Sequence, residues 1–336
     1  MPEDTPVMAS GRIAIGIDVG GSGIKAAVVD VEAGRLRSVR LRVATPSPST
    51  PEAVLASVAR LVKRLARSSG LGDATPVGIG LPGVALGGIL KTAANLDPSW
   101  VDFPVVERMT QMIKRPVSII NDADAAGIAE MRFGVGKDQP GVVIFMTLGT
   151  GLGSGVFVDG KLVPNTEFGQ MEIRGRVAEK RSAAAARTRR GLSWKAWTAD
   201  LDEHLDRIQQ LMWPNLMIIG GGVSKNADKF VPRLTVRCPV VAAQLRNDAG
   251  IIGAAIVAAE APPPSGPARA EPVPAAPATS GAVAEPSGAV AEPSDDAASS
   301  DDVAEPSDDA ASSDGIPDPP DDAATSGEGA ASDAAG

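Results

Sequence analysis

The stretch Ile13-Ala14-Ile15-Gly16-Ile17-Asp18-Val19-Gly20-Gly21-Ser22-Gly23-Ile24-Lys25-Ala26-Ala27-Val28-Val29-Asp30 decides how the chain is read. Two short Val/Ile-rich runs flank a turn of three glycines and a serine, the pattern of a hairpin. Glycines let a backbone adopt positive φ and approach a ligand closely. Such a turn presents N–H groups to an anion, so Gly20, Gly21, Ser22 and Gly23 are candidate phosphate-binding residues. Asp18 ends the first strand, where a carboxylate can hold Mg²⁺ or a water beside a phosphate. Neither the P-loop nor the dinucleotide fingerprint fits, because a strand follows the glycines where those motifs need a helix. A plain glycine hairpin remains the alternative at this point.

The pattern recurs. Val142 to Thr147 reads as a strand, Leu148-Gly149-Thr150-Gly151-Leu152-Gly153-Ser154-Gly155 as a turn, and Val156 to Val158 as strand again. Two hairpins of one plan predict two lobes, each offering a phosphate-binding turn, with Thr147, Gly149, Thr150, Gly151 and Gly153 as the second set. Between them, the apolar run at 117–120 leads into Asn121-Asp122-Ala123-Asp124 and a helix expected over 125–133. Polar groups at the carboxyl end of a strand occupy the usual ligand crevice of an α/β sheet. Helix capping by Asp122 or Asp124 would account for the same residues. Leu216 to Ile219 is a strand running into Gly220-Gly221-Gly222, where Gly221 and Gly222 either take the face of a nucleoside or permit tight packing.

At 336 residues the chain can hold two domains once its tail is set aside. From residue 261 onward there are 16 acids and one base, a net −15, among Ala, Pro, Ser and Gly with internal repeats. Such a composition cannot bury enough apolar surface to fold, so 261–336 is expected to be a disordered acidic tail. Residues 1–10 are expected to fray. The whole chain carries −9, so residues 1–260 carry +6. One cysteine, Cys238, excludes a disulfide framework and a multi-cysteine metal site, and one histidine, His204, excludes a two-histidine site. The chain shows neither a signal peptide nor an 18-residue apolar run, which predicts a cytoplasmic protein with no membrane partner.

The remaining segments supply strands and helices in alternation, as in an α/β fold. A third strand is expected at 36–43. A helix is expected from Pro51, capped by Thr50, with Val54, Leu55, Val58, Leu61, Val62 and Leu65 as its buried face. Others are expected over 104–114, over 194–213 and from Gly250 onward. His204 lies off the apolar stripe of its helix (Trp197, Leu201, Leu205, Ile208, Met212) and is read as an ordinary helical residue. Arg174 to Lys195 holds eight bases against Glu179. That run is either a solvated face or a site for a polyanion bound through counterion release, with Arg187, Arg189 and Arg190 as candidate guides.

Asp18-x-Gly-Gly-x-x-x-Lys25, Pro82-Gly83, Asn121-Asp122, Gly149-Thr150-Gly151-x-Gly153 and Gly220-Gly221-Gly222 together resemble the ROK (repressor, open reading frame, kinase) sugar kinases over about residues 11–258. Thr92 to Asn95, Pro164 to Glu167, Leu192 to Trp194 and Leu245 to Ala255 are similar to the polyphosphate-using glucokinases of actinobacteria. The resemblance implies an α/β fold of the actin-like ATPase (ribonuclease H-like) kind. Its lobes would span 11–118 and 119–260, with a central cleft. It implies phosphoryl transfer from inorganic polyphosphate or ATP to O6 of glucose, with Mg²⁺.

By matching positions, Asp122 would be the general base. Gly83, Asn95, Asn121, Glu167, Gln170 and Glu172 would hold the sugar. Asp18 would serve the metal, directly or through water, and Lys25 the phosphates. The resemblance implies no nucleic-acid partner and a homodimer. The Cys-rich zinc motif of some members is absent, so no structural zinc is expected. Where the family usually has His, two residues before Glu172, this chain has Gln170, which hydrogen-bonds but cannot become cationic. A sugar-responsive repressor would need a helix-turn-helix ahead of the first strand, and about a dozen residues precede it. An ATP-only hexose kinase and a sugar-binding regulator with weakened catalysis are the other readings.

Overall fold

The computed structural model describes residues 12–93 and 95–262. The expectations of a frayed start and a disordered acidic tail lie outside those residues, apart from the tail's first two. The first hairpin forms as expected. β1 (Ile13–Val19) pairs antiparallel with β2 (Ile24–Asp30), from Ile13 opposite Asp30 to Val19 opposite Ile24. The expected third strand is two short ones, β3 (Arg35–Leu36) and β4 (Leu41–Val43), both on β2. The chain leaves the ladder between them, where the Ser38 hydroxyl replaces a backbone acceptor for Val28 N–H and Val39 stands 81% exposed.

Helix α1 (Pro51–Ser68) starts where Thr50 accepts a hydrogen bond from Ala53 N–H, and every residue of its expected apolar stripe is buried. β5 (Val77–Leu81) then lies parallel to β1. A small hairpin, β6 (Ala85–Leu86) and β7 (Ile89–Leu90), leads to α2 (Val105–Ile113). α2 stops one residue short of the expected end because Lys114 is left-handed, at φ 55°. β8 (Val117–Asn121) adds parallel to β5 and passes directly into α3 (Asp122–Phe133). α3 begins earlier than expected because Asn121 caps it, its side-chain oxygen accepting from Ala123 and Asp124 N–H.

The second sheet repeats the first. β9 (Val142–Leu148) and β10 (Leu152–Val158) form an antiparallel hairpin, β11 (Lys161–Val163) extends it, and β14 (Leu216–Gly220) and β15 (Val240–Ala242) add in parallel. The strand orders are β3-β2-β1-β5-β8 and β11-β10-β9-β14-β15. Each hairpin turn, followed by parallel neighbours, therefore sits at the same end of its sheet. The lobe boundary expected after residue 118 falls inside β8. The sheets meet through α8 (Ala249–Glu260), which packs on the first sheet and on α3 although it closes the second half of the chain. Its approach is close enough that a Cβ on Gly16 or Gly78 would collide with the carbonyls of Ile251 or Ala254, and one on Gly253 with that of Ala125.

Between β11 and β14 the chain makes a two-stranded ribbon, β12 (Glu172–Ile173) and β13 (Arg176–Val177). Two short helices follow, α4 (Glu179–Ser182) and α5 (Ala184–Arg189), and then the long α6 (Trp194–Met212). α7 (Ala227–Phe230) closes that cluster, with Phe230 packed among Trp194 and Trp197. Part of the basic run is held by acids. Arg174 pairs with Glu203, Arg181 with Asp200 and Glu203, and Arg190 with Asp200, all acids of α6. Arg187 lies over the Trp194 ring at 3.9 Å, and Arg189 donates to the Lys180 carbonyl. His204 departs from its expected role as well. It is fully buried, with Nε2 on the Phe168 carbonyl at 3.0 Å and Nδ1 on the Ser182 hydroxyl at 2.8 Å. Among the described residues, no helix is long and apolar enough to cross a membrane.

Candidate active site

The two glycine turns face one cleft of about 380 Å³, within the size range of small-molecule sites. It is lined by Asp18, Gly20, Gly21, Ser22 and Lys25 from the first hairpin. The second contributes Thr147, Gly149, Thr150, Gly151 and Gly153. Gly83, Asn95, Asn121, Asp122, Glu167 and Gln170 form another part of the wall, and Gly221 and Gly222 a third. Four sets of residues far apart in sequence thus converge. Two expected members do not line it: Gly23 closes its own turn by bonding Gly20, and Glu172 is exposed on β12. Arg187, Arg189 and Arg190 are also absent from its walls.

Asp122 owes its position to the direct passage from β8 into α3. Asn121 caps the helix with its oxygen and donates through Nδ2 to the Gly83 carbonyl at 3.2 Å and to Glu167 at 3.4 Å. Gly83 has φ 153°, and a side chain there would strike the Thr92 carbonyl. Glu167 is presented by a loop pinned on two sides. The Ser154 hydroxyl donates to the Thr166 carbonyl at 2.6 Å and accepts from Phe168 N–H at 2.9 Å. Asn165 exchanges two hydrogen bonds with the Ala85 backbone, and its own N–H donates to Asp124 at 2.8 Å. The turn bearing Gln170 hangs from the buried His204 through the Phe168 carbonyl.

Electrostatics set Asp122 apart. Burial pushes its carboxyl up to about 7, and the negative charges of Asp18, Glu167 and Asp124 add to that. The Ala123 N–H, bonded at 2.8 Å, works against it. Asp124 is also pushed to about 7, chiefly by burial, and one of its oxygens is buried without a hydrogen-bond partner. Glu167 is raised by burial and by Glu179. Asp18 stays paired to Lys25 at 2.9 Å. A carboxyl near 7 in a cleft is suited to take a proton from a hydroxyl at neutral pH.

Sequence reasoning passed over several members. Glu179 accepts from Leu152 N–H at 3.2 Å and lines the cleft, yet in sequence it is one acid inside a basic run. Arg246 and Asn247 line it too, and Arg246 is held at φ 50°. They were visible only within the string Leu245 to Ala255. Asp124 read as a helix cap, whereas the structure gives it the Asn165 loop.

A doubled sheet of this plan with two glycine turns and a half-buried carboxylate on one cleft defines an actin-like ATPase fold carrying a phosphotransferase site. Residues 14–174 match the ROK family model. A polyphosphate glucokinase of Mycobacterium tuberculosis is 44% identical over 254 residues, covering 75% of this chain and 94% of that protein. The crystal structure of an inorganic polyphosphate/ATP-glucomannokinase from Arthrobacter sp. strain KM superposes with TM-score 0.72 at 46% identity, covering 74% of this chain and 99% of that one. A ROK family glucokinase from Streptomyces griseus, solved with glucose and AMPPNP, gives TM-score 0.63 at 26% identity, with 73% and 99% covered. The chain belongs to the ROK family, and it is a kinase.

Proposed function

We propose that this kinase transfers a phosphoryl group from inorganic polyphosphate, and also from ATP, to O6 of glucose. The observation that carries the reading is Asp122, a carboxyl near 7 at the cleft wall between the two glycine turns. The names of the Mycobacterium and Arthrobacter relatives support polyphosphate as donor and glucose as acceptor.

In this mechanism Asn121, Asn95, Glu167, Gln170 and the Gly83 carbonyl orient the sugar. Glu172 acts only if the β12 ribbon turns inward. Asp122 takes the proton from the 6-hydroxyl as its oxygen bonds to phosphorus. The bridging P–O bond breaks, and the shortened polyphosphate or ADP leaves with the electron pair. Backbone amides of Gly21 and Ser22 and of Thr150 and Gly151, together with Lys25, hold the transferring oxygens, whose charge must be stabilised in the transition state. Gly221 and Gly222 leave room for a nucleoside when ATP is the donor.

The donor set suits Mg²⁺, which is usually held by one or two carboxylates plus substrate phosphates and water. Asp18 is the carboxylate between the turns, and no group of three ligating side chains exists among the described residues. Bound there, Mg²⁺ would neutralise charge on the donor phosphates. The same reading carries a cytoplasmic enzyme, working as a homodimer, with the first lobe extended to the end of β8 at Asn121. The test is product formation from glucose and Mg²⁺ with either polyphosphate or ATP, read through an enzyme that oxidises only glucose 6-phosphate. A signal with each donor is expected. Phosphorylation at another hydroxyl, or none, would refute the assignment.

A further inference from the structure

The outer face of α1 carries Arg60, Lys63, Arg64 and Arg67, spaced i, i+3, i+4 and i+7, all exposed. They border two adjoining surface hollows of about 490 and 480 Å³, the second completed by Met112, Ile113 and Arg115 near the end of α2. Among the described residues, none of the four is ion-paired. Arg60 reaches only the Ser57 hydroxyl, and the nearby Asp73 is taken by Arg115. Like charges at these spacings destabilise a helix. The helix dipole favours Arg67 in the last turn, but it does little for Arg60, Lys63 and Arg64. In the run at 174–195, by contrast, Arg174, Arg181 and Arg190 are held by Asp200 and Glu203.

We infer that the α1 stripe is a remote anchor for the body of a long inorganic polyphosphate chain whose end is engaged in the cleft. This rests on the polyphosphate reading above. The start of α1 adjoins the cleft wall. Ser49, just ahead of the Thr50 cap, bonds Asp97 N–H and the Trp100 indole, in the loop that carries Asn95. At 1.5 Å per residue, Arg60 lies about 14 Å and Arg67 about 24 Å along the helix from Pro51. A donor chain of many phosphates spans that distance, and ATP does not. Apart from Ser68 and Asp73, which Arg115 pairs, the hollows are lined by basic and apolar side chains with no aromatic ring, so they lack the stacking platform that single-stranded nucleic acids use.

The test is the full chain with Lys63→Gln, Arg64→Gln and Arg67→Gln, glutamine being a good helix former. The Michaelis constant for long-chain polyphosphate should rise about tenfold, with that for ATP unchanged. Binding of labelled long-chain polyphosphate without glucose should show a log–log salt slope shallower by about 2. The charge-keeping variant Lys63→Arg, Arg64→Lys and Arg67→Lys should bind like the unaltered protein, which separates charge from fold. An unchanged constant and slope, an equal rise for ATP, or equal competition by single-stranded DNA would overturn the inference. If the unaltered protein phosphorylates glucose from ATP but not from polyphosphate, the donor reading falls instead. The binding arm needs no turnover and still decides whether the stripe holds the polyanion.

Discussion

Asp122→Asn tests both the chemistry and the electrostatics of the cleft. Burial, Asp18 and Glu167 raise the Asp122 carboxyl from an ordinary 3.8 to about 7. In the free enzyme about half of the molecules then carry the base at pH 7, and about a tenth at pH 6. The kcat/KM for glucose should therefore fall about tenfold per pH unit below 7. Asn keeps the size and loses the proton acceptor, so kcat should drop roughly 10²–10⁴-fold while glucose still binds.

Stability should move the other way. A carboxyl raised in the folded state makes that state bind more protons than the unfolded chain between 3.8 and about 7, so stability declines as pH rises through that window. Above it the cost is complete and is about 4 kcal/mol, from about 1.4 kcal/mol for each pH unit of displacement. Asp122→Asn should thus be nearly inactive yet more resistant to urea at pH 8, with the gain shrinking toward pH 4. Activity within a few-fold of the unaltered enzyme, or a flat profile from pH 5.5 to 8, would refute the base assignment. A stability gain equal at pH 4 and pH 8 would refute the electrostatic account.

Three further outcomes follow from the site and its supports. Gln170→His should lower the Michaelis constant for glucose, because imidazolium adds a charged donor where Gln offers a neutral one; steady-state kinetics check it. His204 is held below its ordinary pKa, chiefly by burial, so the unfolded chain takes up a proton that the folded one refuses. Stability should fall as pH drops below about 6.5, and His204→Gln should flatten that part of a urea-midpoint profile. Gly78→Ala should cost roughly 1–3 kcal/mol in urea titration, because its methyl meets the Ala254 carbonyl and pushes α8 off the first sheet.

Much of the fold and half of the cleft were legible in the chain itself. The two hairpins are set by local patterns: Val/Ile runs flanking short glycine-rich turns. Those patterns also predict two like lobes, and the pair of five-strand orders repeats as expected. The cap at Thr50 and the buried face of α1 follow from spacing alone. What the sequence by itself does not contain is which distant groups share space. Glu179 enters the cleft because Leu152 N–H draws it there, across 27 positions. His204 looked peripheral because the periodicity of α6 describes one packing face. The turn at Phe168 comes down on another, and burying an imidazole requires the partners that Phe168 and Ser182 supply. The basic run is a sum along the chain, whereas charges act through space: Asp200 and Glu203 on the next helix hold its Arg174, Arg181 and Arg190, while among the described residues the four cations of α1 have no ion pair. Local geometry is encoded by neighbours in sequence, but a raised carboxyl, a paired arginine or a buried histidine depends on long-range contacts, and those only the tertiary structure decides.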